Sequence, residues 1–242
     1  MISNGVVSFG LEMPPTIFLI SNISAFVTNL VTLTFAILYC YRDVNPRYLR
    51  VFPLYLAISF LVELLVNQYF TLLLGFPLFG KHQAFARHMT YKLFTLFELF
   101  VFSWFLYQIL YSDRMKKGLI LLLVLFCLFF LWSSLPGQPG QSSNDLAVNL
   151  ESLIVIIPCL VYFKELFARP VPGDLLREPS FWLVTGIFFY LATIIPLFLS
   201  GSYLYDRGFR KIAISLYSIN NFALSIAYIL FIKGFTCRIR RS

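Results

Sequence analysis

The chain has 242 residues, of which 59% are hydrophobic and only 12% charged, with a formal net charge of +8. A soluble domain carries about 25% charged residues, and the deficit here runs the whole length, which excludes a soluble domain with one anchor. The basic residues fall in short stretches between apolar runs, without zinc-ligand spacing or an RNA-binding signature, so they read as membrane loops and not as a nucleic-acid surface.

A helix crosses a bilayer with about 20 apolar residues. Seven segments qualify: 16–41, 48–74, 89–111, 117–135, 146–167, 181–200 and 211–235. The expectation is one all-α polytopic membrane domain over 1–242, with no soluble domain in its short loops. Pro14 and Pro15 precede the first span, and Pro46, Pro77, Pro136, Pro139, Pro170 and Pro172 punctuate the loops. No basic n-region or A-x-A-like site marks the N-terminus, so the first run is expected to be a retained helix.

In chain order, the first span offers Ser21, Ser24, Thr28 and Thr32, with Asn22 and Asn29 on an adjacent face. The second stacks Ser59, Glu63, Asn67 and Phe70 at helical spacing. His82 and His88 follow it, six apart and without an acidic neighbour, which does not make a metal site. The third stacks Tyr91, Thr95, Glu98 and Phe102, while Lys92 lies on another face and reads as a lysine snorkelling to the outer surface. The fourth has no strongly polar residue in its interior and can be surrounded by lipid. The fifth carries Asn149 and Glu151 at its outer end, where Glu151 reads as an interface residue. The sixth aligns Gly186, Tyr190 and Thr193, and the seventh aligns Ser218, Asn221 and Ser225.

Polar stripes in hydrocarbon need partners, so six spans are expected to turn theirs inward. The fourth then becomes a linker in a three-plus-one-plus-three layout. A shift of 123 residues places Leu93, Phe94, Thr95 and Glu98 on Leu216, Tyr217, Ser218 and Asn221, and Leu30 and Tyr39 on Leu153 and Tyr162. The second and sixth spans do not match at that shift.

Of the nineteen Lys and Arg, only Lys81, Arg87, Lys92, Arg207, Arg210 and Lys211 fall on one side of the bundle. By the positive-inside rule the N-terminus is outside and the C-terminus cytoplasmic. A bacterial inner (cell) membrane suits the short loops and the lack of a disulfide framework among Cys40, Cys127, Cys159 and Cys237.

Glu63 and Glu98 carry the functional signal. An ionisable side chain at mid-membrane costs about 2.5–3.5 kcal/mol on insertion scales and marks a site by default. The expected ligand- or proton-binding set is Glu63, Glu98, Asn67, Thr95, Asn221, Ser218 and Tyr190, lining an outward-opening pocket. Buried Glu and Asn also serve as glue between helices, and that alternative stays open.

The layout resembles that of SWEET sugar transporters, which join two three-helix halves through a linker helix. The likeness is architectural: the chain has no PQ dipeptide, and its first span lacks a proline, although Pro53, Pro158 and Pro196 fall within spans. Microbial rhodopsins, another seven-helix comparison, need a mid-membrane lysine on the last helix. Lys233 is instead near the cytoplasmic end.

No HExxH, GxSxG or P-loop occurs, and no cofactor or catalytic residue is expected, so the chain is not read as an enzyme. Secondary transport of a small polar or cationic solute, or of a proton, is the leading expectation. The alternative is a sensory, receptor-like protein that signals through a separate cytoplasmic partner. The bilayer is the one partner that composition requires.

Overall fold

In a computed structural model the described residues are 16–40, 46–66, 83–133, 142–168 and 175–237. Among them are seven α-helices and two short 3-10 turns: α1 (Thr16–Cys40), α2 (Phe52–Val66), α3 (Gln83–Ile109), α4 (Asp113–Ser133), α5 (Ser142–Ala168), α6 (Pro179–Asp206) and α7 (Arg210–Thr236). Turns at Arg47–Val51 and Leu175–Arg177 lead into α2 and α6. The all-α expectation holds. Six of the seven expected spans are matched over most of their length by one helix each, and the second is matched as far as Val66.

Five helices are long and apolar enough to cross a membrane, through Leu19–Cys40, Met89–Ile109, Asp113–Trp132, Pro179–Ser200 and Ser218–Thr236. The chain is an integral membrane protein with several spans. The described part of α2 has 15 residues, short of a full crossing. The rest of the second expected span, with Asn67 and Phe70, lies outside the described residues, as do the side chains of His82 and His88. α5 has 27 residues but carries Asn149, Glu151, Lys164 and Glu165, and it is not among those five.

Prolines set the helix starts. Pro53 stands in the first turn of α2 and Pro179 opens α6, positions where the missing N–H costs no helical hydrogen bond. Gly208 ends the α6 turn with φ of 85°, which a side chain disfavours. The Phe209 N–H then reaches back to the Leu204 carbonyl at 2.9 Å, capping the helix end.

The helices close a ring. α1 packs on α2, α2 on α3, α3 on α5, α5 on α6, α6 on α7, and α7 returns to α1. α4 stands outside it, against α3 and α5. Its buried side chains, Leu119, Phe126 and Phe130, form one narrow row, while Leu121, Leu128 and Leu131 are exposed. Only 17% of its apolar window is buried, against 44% for α3 and 39% for α7, which is the peripheral placement expected from its uniformly apolar sequence.

α1 shows how the ring is made. Ser21, Ala25, Asn29, Thr32, Ala36 and Cys40 recur at three- and four-residue steps and are completely buried. Ile17, Ile20, Ile23, Val27 and Leu30 cover the opposite, exposed side. Small and polar residues let helix backbones approach where lipid offers no hydrophobic drive to do so. The α6–α7 seam uses glycine for the same purpose. A Cβ on Gly186 would meet Phe231 Cε1 at 2.8 Å, and one on Gly234 would lie 3.2 Å from the Pro179 carbonyl oxygen.

One end of the ring, where α2 begins and α7 finishes, is filled by rings. Phe52 stands edge-on to Phe105, Phe231 and Phe235 at 5.1, 5.7 and 5.8 Å. All four are buried. At the same end, α5 grips the corner between α3 and α4: Glu165 accepts the Tyr111 N–H at 2.9 Å and the Ser112 N–H at 3.0 Å.

Candidate functional site in the bundle interior

Above the phenylalanine cluster the interior turns polar. Tyr55 of α2 donates its hydroxyl to Glu98 Oε1 of α3 at 2.7 Å. Tyr55 is 2% exposed and Glu98 7%. Glu98 lies near the middle of the Met89–Ile109 window, so no side chain of its length reaches the interface from there. On α5, Glu151 is 3% exposed, and Glu98 is its electrostatic neighbour. Tyr190 of α6 feels the charge of Glu98, Glu151 and Glu63.

A second strand of contacts runs through α1, α2 and α7. Asn29 Nδ2 donates to Ser59 Oγ at 3.3 Å, and Ser59 Oγ shares a hydrogen bond with the Tyr228 hydroxyl at 3.1 Å. Glu63, half-buried, lies beside Asn29 and within the electrostatic reach of Tyr228. Tyr228 also feels Glu98, which joins the two strands into one layer. Every helix of the ring contributes: Asn29 from α1, Tyr55, Ser59 and Glu63 from α2, Glu98 from α3, Glu151 from α5, Tyr190 from α6 and Tyr228 from α7. α4 contributes nothing to it.

The layer is short of hydrogen bonds. Among the described residues, Glu63 Oε2, Glu151 Oε1 and Asn29 Oδ1 are buried with no hydrogen-bond partner. Buried polar atoms are satisfied in the great majority of cases, so these three stand out, along with Ser103 Oγ, Asn149 Oδ1 and Asn220 Oδ1 elsewhere among the described residues. Among the described residues no group of three or more His, Cys, Asp or Glu side chains that could hold a metal ion is found.

Glu98, Glu63 and Tyr190 thus come together, whereas other expected site residues do not join them. Asn221 Nδ2 donates to Ser21 Oγ at 3.3 Å and Asn22 Oδ1 at 3.1 Å, which ties α7 to α1. Ser225 continues this seam, sharing a 3.3 Å bond with Ser24. Ser218 is buried on α7 with no link to the carboxylates recorded among the described residues. Thr95 spends its hydroxyl on the Tyr91 carbonyl of its own helix at 3.1 Å, and Tyr91 is exposed. Asn67 lies outside the described residues.

Two residues pack more closely than their expected places at the outer surface suggest. Lys92 is 5% exposed, and its ammonium stands 5.1 Å from the Phe130 ring centre on α4. Glu151 is 3% exposed. α5 begins at Ser142, so Glu151 stands well inside the helix, next to the buried row of Ser152, Val155, Cys159 and Tyr162. Burial costs a carboxyl at Glu151 as it does at Glu98, and its position near Asn149 in an otherwise apolar run was the available signal. Tyr55, Ser59, Asn29 and Tyr228 also belong to the layer, and aromatic hydroxyls in a Phe- and Tyr-rich chain carry no sequence mark that separates them from ordinary core.

No protein-family model, curated protein or solved structure matches this chain.

Proposed function

We propose that the chain is a secondary transporter of a small polar or cationic solute, coupled to or replaced by a proton. The observation that supports this reading is the polar layer to which all six ring helices contribute, buried at Asn29, Tyr55, Ser59, Glu98, Glu151 and Tyr228 and half-buried at Glu63 and Tyr190, with unpartnered oxygens on Glu63, Glu151 and Asn29. A site shared by every helix of a ring changes its shape when one half of the ring tilts against the other, which is what alternating access requires.

The three-plus-one-plus-three layout supplies the halves. α1–α3 and α5–α7 meet at two seams, α1 with α7 and α3 with α5, and α4 connects them from outside. With the N-terminus outside, the phenylalanine cluster seals the cytoplasmic end, and the polar layer lies on its outer side. The solute passes between the seams as the seal transfers from one end to the other.

The test is uptake by the purified chain alone in proteoliposomes with an internal pH dye. Inward gradients of ethanolamine, tetramethylammonium and glucose are imposed in turn. Solute-dependent pH change that Glu63→Gln abolishes, without loss of fold, supports transport through Glu63. Full activity in Glu63→Gln removes Glu63 from the coupling step. Absence of flux with every solute, together with ligand-dependent stabilisation and copurification of a cytoplasmic kinase, would replace transport by sensing.

A further inference from the structure

We propose that Glu98 and Glu151 form a single proton-binding site across the α3–α5 seam, one exchangeable proton being held between the two carboxyl groups. This rests on the transport reading for its purpose, but not for its chemistry.

The packing carries the argument. Glu98 and Glu151 are 7% and 3% exposed, on helices that touch, and each lies well inside its helix. Among the described residues Glu98 accepts from the Tyr55 hydroxyl at 2.7 Å. Glu151 Oε1 is shut off from solvent and accepts no hydrogen bond among the described residues. An isolated carboxylate in such surroundings is strongly disfavoured, and two like charges in one site are worse. A single proton resolves both faults. The O–H of one carboxyl donates to an oxygen of the other, the remaining negative charge keeps the Tyr55 hydrogen bond, and Glu151 Oε1 gains a partner.

The groups facing the pair do not offer another solution. α2 presents Tyr55 and, farther along, Glu63. α6 presents Tyr190 and α7 Tyr228, both acted on by the Glu98 charge. The 3-10 turn before α2 presents Tyr48 to Phe105, away from the pair. From α4 come the buried rings of Phe126 and Phe130, and Lys92 of α3 lies over the latter. Glu165, fourteen residues on from Glu151, meets the Tyr111 amide, thirteen residues on from Glu98, so the two acids stand at the same level of the α3–α5 seam. A metal cation in the same place would want several converging oxygens, yet Tyr55 directs a hydrogen at Glu98, and no set of three ligating side chains is present among the described residues.

Proton exchange then follows the seam. Parting of α3 and α5 admits water, the shared hydrogen bond opens, and the proton leaves to that water as the second carboxylate becomes hydrated. Closure of the seam requires the proton back.

Infrared difference spectroscopy on the full chain in lipid vesicles reads this directly and needs no solute. A protonated-carboxyl C=O band that persists at neutral pH and shifts in heavy water is expected. Glu98→Gln and Glu151→Gln should each abolish it, while Glu151→Asp keeps it at a shifted frequency and guards against loss of fold in the amide variants. A band that survives Glu151→Gln overturns the pair, because the proton would then belong to Glu98 or to another group alone. Loss of the band on adding sodium chloride at constant pH overturns the proton as ligand in favour of a metal cation. An intact band without flux in proteoliposomes sinks the transport reading and leaves the proton site, whereas flux without the band does the reverse.

Discussion

Alanine at two glycines should move stability in opposite directions. Gly118 of α4 has nothing within 4 Å of where a Cβ would stand. Alanine there gains helix propensity of about 0.8–1.0 kcal/mol and meets no obstacle. Gly186 of α6 gains the same propensity, but its Cβ would lie 2.8 Å from Phe231 Cε1 and 3.2 Å from the Ala227 carbonyl oxygen. The backbone oxygen cannot rotate aside. Phe231 is hemmed in by Phe52 at 5.7 Å and Tyr228 at 6.2 Å. Overpacking of this kind costs about 1–3 kcal/mol, so Gly186→Ala should be net destabilising by roughly 1 kcal/mol after the propensity gain. For a chain of this size that is a fall in Tm of about 2–4 °C, against a rise of similar size for Gly118→Ala. Thermal unfolding in one detergent, followed by tryptophan fluorescence, gives both numbers. Phe231→Leu in the Gly186→Ala background should recover part of the loss, since it removes the atom that clashes, and the double-mutant cycle isolates that coupling. Equal stabilisation by both alanines, or a cycle that shows no coupling, would refute the tight α6–α7 seam.

Three further outcomes can be checked. Glu165→Ala removes two charge-assisted acceptors from the Tyr111 and Ser112 amides, and those two N–H groups should exchange with deuterium at least several-fold faster, with a stability loss of about 1–3 kcal/mol. Asn221→Ala should lower stability by about 0.6 kcal/mol and at most about 1.7, the range for hydrogen bonds between membrane helices, while leaving the carboxyl infrared band in place because Asn221 binds α1 and not the carboxylates. A cysteine probe at Gln138 should be labelled from outside and one at Met115 spared, and the reverse pattern would place the phenylalanine seal on the outer face.

How far the sequence reached depended on what each residue needs. α4 was legible because a helix apolar on every side has only lipid to meet, and it stands outside the ring. The polar face of α1 was legible as a set of candidates, but which rows are buried, Ser21, Asn29 and Thr32 among them, is fixed by where α7 and α2 approach. That Glu98 turns inward was legible from the cost of a mid-span charge. The burial of Glu151 was not, because it depends on how closely α3 and α6 pack against α5. Thr95 and Asn221 share the helical spacing of Glu98 and Ser225, yet spacing does not say whether a hydroxyl turns to its own backbone or an amide to the next helix.

The position of α4 has a mechanical consequence. Helices inside a closed ring share their hydrocarbon boundary with neighbours, but α4 meets acyl chains along most of its surface. It is fastened to the ring by a corner of a few residues that Glu165 clamps from α5, and by Lys92 reaching its Phe130 ring. Bilayer thickness therefore bears on the two sides of the molecule unequally. A 21-residue helix that relieves mismatch with the surrounding lipid by tilting would bear first on α3 and α5, the helices it packs against and the ones that hold Glu98 and Glu151.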